Sequence, residues 1–176
     1  MLQNGEMLSM SEKSGSRKVP EWAKGDALME WYAATIWGQK IDDDDALFEI
    51  MSLELFQAGL NWKMILKRRD AFRKVFKDWN IDTVASFGVA KVNQILLDAS
   101  IIRNQRKIEA CIANANVIQD IQKEHGSFCH WFYEELAGDD LGDLQKTLRK
   151  TFKFIGPEIA RMWLMASGRI SSEEID

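Results

Sequence analysis

One carboxylate and three aromatic residues have the types and spacing that could do chemistry in this sequence. Glu54 lies in the apolar stretch LELF, Trp62 follows eight positions later, and Trp22 and Tyr32 lie upstream. A carboxylate surrounded by electron-rich rings would form a site for a flat, positively charged ligand. A lone glutamate in a helix more often points outward into solvent. The residues alone leave both arrangements open.

A second candidate feature is a run of basic residues in the helix predicted after Asn61. An apolar stripe runs through this segment, and Asp70 is its only acid. Its basic residues are Lys63, Lys67, Arg68, Arg69, Arg73, Lys74 and Lys77. In a chain with a net charge of -4, this local excess of positive charge indicates a surface that faces phosphates. The alternative is an ordinary solvated helix face.

Residues 144–168 predict two helices joined by a short hairpin. Gly156 ends the hairpin and Pro157 takes the first position of the second helix, which leaves backbone N–H groups free for a phosphate, or for a cation bridging to one. Positive charge on this unit comes from Lys146, Arg149, Lys150, Lys153 and Arg161. The pattern resembles a helix-hairpin-helix motif, and a tight αα-corner is the alternative.

The sequence predicts neither a metal site nor a catalytic nucleophile. The four His and Cys residues do not predict a zinc site, because Cys129 and His130 would point apart on a helix and Cys111 falls on an apolar face. Residues 42–45 are four acids that could hold a cation, but their place before an apolar-periodic segment favours helix capping. The chain also has no Ser, His and Asp set at a known spacing and no glycine-rich phosphate loop.

The elements that must position these residues are helices. Periodicity and capping signals predict helices at about 27–37, 44–56, 62–76, 82–87, 89–99, 105–124, 128–136, 144–151 and 157–168. Alternating strand patterns and fixed-period repeats are missing from the sequence. We therefore expect an all-α fold of about eight to ten short helices.

Length and composition set the broader frame. With 176 residues, 46% of them hydrophobic, the chain predicts one compact unit over residues 19–176 after a flexible leader at residues 1–18. No apolar run is long enough for a membrane span, and no signal peptide is recognisable. Two cysteines suit a reducing compartment. We expect a cytoplasmic monomer with no membrane contact.

Three segments follow the order and spacing of a known family. They are LFEIMSLELFQAGLNWKMILKRRDAFRKVF, IIRNQRKIEACIANA and LRKTFKFIGPEIARMWLMASG, and GSF lies between the last two. Over residues 20–170 the chain resembles the 3-methyladenine DNA glycosylase I family. The resemblance implies an all-α helix-hairpin-helix DNA repair enzyme. Such an enzyme flips 3-methyladenine out of alkylated double-stranded DNA and hydrolyses its N-glycosidic bond.

The resemblance also implies roles for individual residues. Glu54 falls at the position of the base-recognising, catalytic glutamate. Tyr32 and Trp62 fall at stacking positions, and Trp22 matches a further pocket tryptophan. The segment entering the gap left by the flipped base would include Gln57, Gly59 and Leu60. Residues 151–156 would form the hairpin, with Lys153 and Gly156 against DNA.

This chain departs from the family pattern at several positions. The family's zinc-binding Cys and His near the amino terminus are replaced by Pro20 and Ala33, and the last residues lack the second His and Cys. The resemblance therefore implies a zinc-free member without a cofactor. Met29 replaces a second pocket tyrosine, and Thr151 replaces the glycine that opens the hairpin. A non-catalytic homologue that binds DNA or a modified purine is thus an alternative, and a helical interaction module without a pocket is a third.

Overall fold

The computed structural model describes residues 18–171, so the predicted leader lies outside the described residues except for Lys18. This part of the chain is helical and contains no strand, which confirms the all-α prediction. The helices are α1 (Ala27–Thr35), α2 (Asp44–Gln57), α3 (Trp62–Lys67), α4 (Arg69–Val75), α5 (Ile81–Ala85), α6 (Val89–Ile95), α7 (Gln105–His125), α8 (Phe128–His130), α9 (Leu141–Thr151) and α10 (Pro157–Ala166). No described helix is long and apolar enough to cross a membrane.

Helix α2 forms the centre of the core, because every residue from 47 to 56 on it is buried. Its amino terminus confirms the capping interpretation of the acidic run. Asp43 accepts a hydrogen bond from the backbone of Ala46, as an N-cap does. Asp44 accepts from the backbone N–H of Phe128, and Asp45 from that of Ile81. The acids therefore cap α2 and tie it to two later segments.

The predicted helix 62–76 is wrong as a single element. The chain forms α3 and α4 with a break at Arg68, whose φ of -98° and ψ of 7° are not helical. Asn61 precedes α3, but its side chain accepts no capping hydrogen bond. The apolar residues Ile65, Phe72 and Phe76 would share one face of a continuous helix, so the periodic pattern does not mark the break.

Other boundaries shift by a few residues. α6 ends at Ile95 rather than at 99, and the predicted helix 128–136 is α8 followed by a π-helical turn at Trp131–Glu135. α9 begins three residues earlier than predicted, because Asp140 caps it by accepting from the backbone of Asp143. These shifts leave the hairpin at residues 152–156 between α9 and α10.

Candidate active site

A cavity of about 260 Å³ opens between α1, α2, α3 and α10. It is lined by Trp22, Met29, Tyr32, Trp37, Glu54, Trp62, Met162 and Met165. The structure thus brings the four residues predicted to bind a base, which are separated by up to 40 positions in the sequence, to one cavity. Apart from one carboxylate and a few ring-borne polar atoms, the lining is apolar.

Glu54 points inward from α2 with 1% of its surface exposed, so the surface arrangement is wrong. Its Oε2 is buried without a hydrogen-bond partner among the described residues. Burial, helped by the negative charge of Glu158, raises the pKa of Glu54 to about 8. The raised pKa favours the neutral carboxyl group at pH 7, and a cationic ligand beside it would favour the charged carboxylate.

Aromatic rings supply the rest of the polar surface. Tyr32 is buried, its hydroxyl has no partner in the described chain, and desolvation followed by the nearby Glu54 charge raises its pKa. The indole Nε1 of Trp62 is likewise buried and unpaired within the described residues. Trp22 is 46% exposed and lies at the solvent side, with its ring centroid 6.3 Å from that of Tyr32. The cavity thus offers unpaired polar atoms between ring faces.

An ion pair joins the starts of the two helices that carry Tyr32 and Trp62. Asp26 caps α1 by accepting from the backbone of Met29 and also pairs with Lys63 in the first turn of α3. The Lys63 ammonium lowers the pKa of Asp26. Tyr32 follows on α1 and Trp62 opens α3, so this pairing joins the two helices that carry the rings, whose centroids are 5.2 Å apart.

The five residues predicted to contact DNA lie outside the cavity lining. Residues 57–60, which we call the wedge turn, follow α2 directly. The N–H of Leu60 donates to the carbonyl of Gln57 at 2.6 Å, and Gly59 has a φ of 77°, as a type II turn requires. Leu60 is 37% exposed, whereas Gln57 is half-buried, with an Oε1 that no described residue binds. The turn therefore presents Leu60 rather than Gln57 to solvent.

The hairpin is held from behind by α7. Buried Asn114 donates to the carbonyl of Lys153 at 3.0 Å and accepts from its N–H at 2.8 Å, while the Lys153 side chain is exposed. Phe154 at the tip has a φ of 63° and lies under the guanidinium of Arg106. Gly156 precedes α10, and no side chain in the described part of the chain caps that helix. Its first N–H groups remain available to a ligand.

Only some of the basic side chains on α3 and α4 are free to face solvent or a phosphate. Arg69 and Arg73 pair with Glu49, a carboxylate on α2 that is 5% exposed. With Lys63 paired to Asp26, three of the seven basic residues bind acids inside the protein. Lys63 and Arg73 still reach solvent, whereas Arg69 is mostly buried and fits neither the phosphate-facing nor the solvated interpretation. Sequence reasoning missed Glu49, whose only signal was a second acid inside the apolar stretch of α2.

Sequence reasoning also missed three residues that line the cavity and Lys107, which lies outside the lining. Met162 and Met165 form one wall of the cavity, and Trp37 lies beside Trp22 with ring centroids 5.4 Å apart. Lys107 on α7 binds the end of α2. Met162 and Met165 belong to the apolar face of a helix, so their sequence pattern matches any core helix.

The family's zinc ligands do not fit this chain at the described positions. Pro20 and Ala33 carry no donor atom, and residues 18–171 contain no group of three or more His, Cys, Asp or Glu that could hold a metal. Zinc independence stays a prediction, because the last residues lie outside the described part of the chain.

Comparisons with known proteins agree with this geometry. The model of the methyladenine glycosylase family matches residues 22–176. DNA-3-methyladenine glycosylase 1 of Escherichia coli is 29% identical over 172 residues, covering 88% of this chain and 92% of that protein. A crystal structure of 3-methyladenine DNA glycosylase I in complex with 3-methyladenine superposes with a TM-score of 0.77 at 27% identity, covering 86% of this chain and 91% of that one. A structure of 3-methyladenine DNA glycosylase I from Staphylococcus aureus, described as showing the basis of 3-methyladenine recognition, superposes with a TM-score of 0.78 at 26% identity. The match covers 86% of this chain and 90% of that one. This chain belongs to the methyladenine glycosylase family.

Proposed function

We propose that this protein is a DNA repair glycosylase that flips 3-methyladenine out of alkylated duplex DNA and hydrolyses its N-glycosidic bond. One observation carries the proposal: Glu54 is buried in a cavity walled by Trp22, Tyr32 and Trp62, and one of its carboxylate oxygens has no partner among residues 18–171. The family relationship supports the same activity.

The cavity chemistry suits a cationic base. Methylation at N3 leaves the adenine nucleoside positively charged, so the base leaves as a neutral molecule without a strong general acid. Ring faces attract the cation, and Glu54 can lose its proton to become a charged partner in a low-dielectric site. The bond between the sugar carbon and the base breaks with its electron pair passing to the base, and water adds its oxygen to that carbon and releases a proton to solvent. The protein's main task is therefore to capture and orient the extruded base.

The DNA-contacting roles of Gln57, Gly59, Leu60, Lys153 and Gly156 remain part of this proposal. Exposure of Leu60 on the wedge turn suits an apolar side chain that fills the gap left by a flipped nucleotide. Free N–H groups at the start of α10 and the exposed Lys153 suit phosphate contacts. Double-stranded DNA is accordingly the proposed partner. The two free cysteines suit the reducing cytoplasm, where we propose that the protein acts as a monomer.

A non-catalytic homologue is the second candidate, because Met29 lines the cavity where the family pattern has a tyrosine. This homologue would bind 3-methyladenine and damaged DNA without releasing the base. The two candidates differ only in turnover, so a product assay separates them.

The test is the release of 3-methyladenine from methylated duplex DNA by the purified protein. We expect release by the wild type and at least a ~30-fold slower rate for Glu54→Gln, since losing a buried charge partner costs about 2 kcal/mol or more. Glu124→Gln, at an exposed position on α7, is the matched control and should match the wild type. If the wild type releases no 3-methyladenine, and Glu54→Gln binds the free base as tightly as the wild type does, both the proposed activity and the proposed role of Glu54 are refuted.

A further inference from the structure

Lys107 on α7 is a buried lysine that pairs with no carboxylate in the described part of the chain. Only 5% of it is exposed, and burial lowers the pKa of its ammonium. The Nζ donates to the carbonyl of Phe56 at 2.7 Å and to the carbonyl of Ala58 at 2.8 Å. A buried lysine without an acid is uncommon, and within residues 18–171 the hydrogen-bond acceptors of Lys107 are two backbone carbonyls.

Those two carbonyls mark the end of α2 and the start of the wedge turn. The last carbonyls of a helix lack intrahelical donors and carry partial negative charge, which a cation stabilises. Between them, the carbonyl of Gln57 accepts from the N–H of Leu60 to close the turn. Ala58, with φ -49° and ψ 115°, and Gly59, with a positive φ, take the two central positions of a type II turn. Lys107 therefore donates to the carbonyls before and after that of Gln57, the carbonyl whose hydrogen bond closes the turn.

The same helix also holds the hairpin. Asn114, seven residues after Lys107, binds both backbone polar groups of Lys153. A separation of seven residues places both side chains on one face of α7, about 10 Å apart along its axis. Helix α7 thus connects the wedge turn to the hairpin through two buried polar side chains.

We propose that Lys107 is a positioning residue that holds the wedge turn in the orientation needed to keep a nucleotide extruded from the duplex. The inference rests on the proposed function, because it assigns the turn to the gap in the DNA. A lesion-bearing duplex tends to restack, so an inserted side chain must resist displacement. The exposed Leu60 is carried by a turn of only four residues, and the ammonium of Lys107 restrains that turn from the protein side.

The test compares two affinities by fluorescence anisotropy: that for a duplex containing an abasic-site analogue and that for the same duplex undamaged. The ratio measures how well the wedge turn fills a gap, and no turnover is needed. We expect Lys107→Met to lower the ratio at least fivefold while its affinity for free 3-methyladenine stays within twofold of wild type. Lys123→Met, at the exposed far end of α7, is the matched control and should leave the ratio unchanged.

Gly59→Ala perturbs the same turn through its own backbone rather than through Lys107. A Cβ there meets no neighbouring atom, so the substitution acts only through the positive φ. Because both changes loosen one turn, we expect the double variant to lose less than the product of the two single losses. Fully multiplicative losses would show that Lys107 acts elsewhere and would overturn the proposal.

The other possible results of these measurements also test the proposal. An unchanged ratio in Lys107→Met, no lesion preference in the wild type, or equal losses for DNA and for the free base would each overturn the proposal. If Lys107→Met does not fold, Lys107→Gln keeps an N–H donor and should lower the ratio by a smaller factor; an unchanged ratio there would overturn it as well. A wild type that prefers the abasic duplex through Lys107 but releases no 3-methyladenine would refute the proposed function while supporting this inference.

Discussion

The rings of Tyr32 and Trp62 lie across the cavity with their centroids 5.2 Å apart and their planes tilted by 50°. A flat base inserted between two rings needs about 7 Å, because each contact takes about 3.5 Å. The base must therefore lie along the open faces of these rings, or one ring must move when it enters. Either event changes the surroundings of the Trp62 indole, whose Nε1 has no partner in the described residues.

Binding of 3-methyladenine should quench the intrinsic tryptophan fluorescence, because the base covers Trp62. In Trp62→Phe the quenching should shrink and the affinity should fall by roughly twofold to tenfold, the equivalent of about 0.5–1.5 kcal/mol for an aromatic contact. Trp31→Phe is the control, since Trp31 is exposed and lies outside the cavity lining. Undiminished quenching in Trp62→Phe would contradict contact between the base and this ring.

The stability of the wild type should fall as the pH rises from about 4.5 to about 8. Glu54 has an ordinary pKa of 4.5 when unfolded and a pKa of about 8 when folded, so in this window the unfolded state has lost a proton that the folded state keeps. The loss is on the order of a few kcal/mol. Glu54→Gln cannot ionise and should lack this component. Urea unfolding of both proteins at pH 5.5, 7 and 8.5 checks it, and a stability difference that is independent of pH would show that Glu54 is not the titrating group.

Several helix boundaries were predictable from local signals, whereas the pairings in the site were not. Asp26 as an N-cap and Gly126 as a helix stop work through neighbouring residues, so the sequence pattern contains them. The break at Arg68 leaves no such mark. The inward side chain of Glu54 follows from packing against distant helices, and only the family resemblance suggested it. Lys107 is 51 positions from Phe56, a separation that no periodic pattern reports.

Replacing Glu49 should destabilise the fold without a direct effect on base binding. The carboxylate is buried under the guanidinium groups of Arg69 and Arg73, and Arg73 donates to both of its oxygens at 2.6 and 2.9 Å. Hydrogen bonds to charged groups contribute about 1.5–3 kcal/mol, and the partial exposure of both guanidinium groups keeps the cost below that of breaking a fully buried ion pair. We expect Glu49→Gln to lose stability on this scale in urea unfolding, and Arg73→Met to lose less, because the Arg73 side chain is partly exposed and Arg69 remains. A loss no larger than that of the surface change Glu124→Gln would refute the structural role.

Met29→Tyr should increase the affinity of the cavity for a cationic base. Met29 contributes a flexible thioether to the wall, and a tyrosine would add another ring face toward the ligand. A cation over a ring is worth about 0.5–2 kcal/mol, so we expect a gain of roughly twofold to thirtyfold. Titration with 3-methyladenine measures the change, and Met64→Tyr, at an exposed position outside the cavity lining, is the control. Weaker binding by Met29→Tyr would show that the ring fills the space the base requires.

Lys153 should contribute one phosphate contact to DNA binding. Its backbone is fixed to Asn114, and its side chain is exposed on the hairpin, next to the uncapped start of α10. We expect Lys153→Ala to weaken binding of damaged and undamaged duplexes by the same factor and to reduce the slope of log affinity against log salt concentration by about 1. Lys123→Ala should change neither quantity, because Lys123 is exposed and lies nine residues, about 14 Å along α7, beyond Asn114, which holds the hairpin. Since phosphate contacts carry no sequence or lesion information, a loss confined to damaged DNA would place Lys153 at the flipped nucleotide instead of at the DNA backbone.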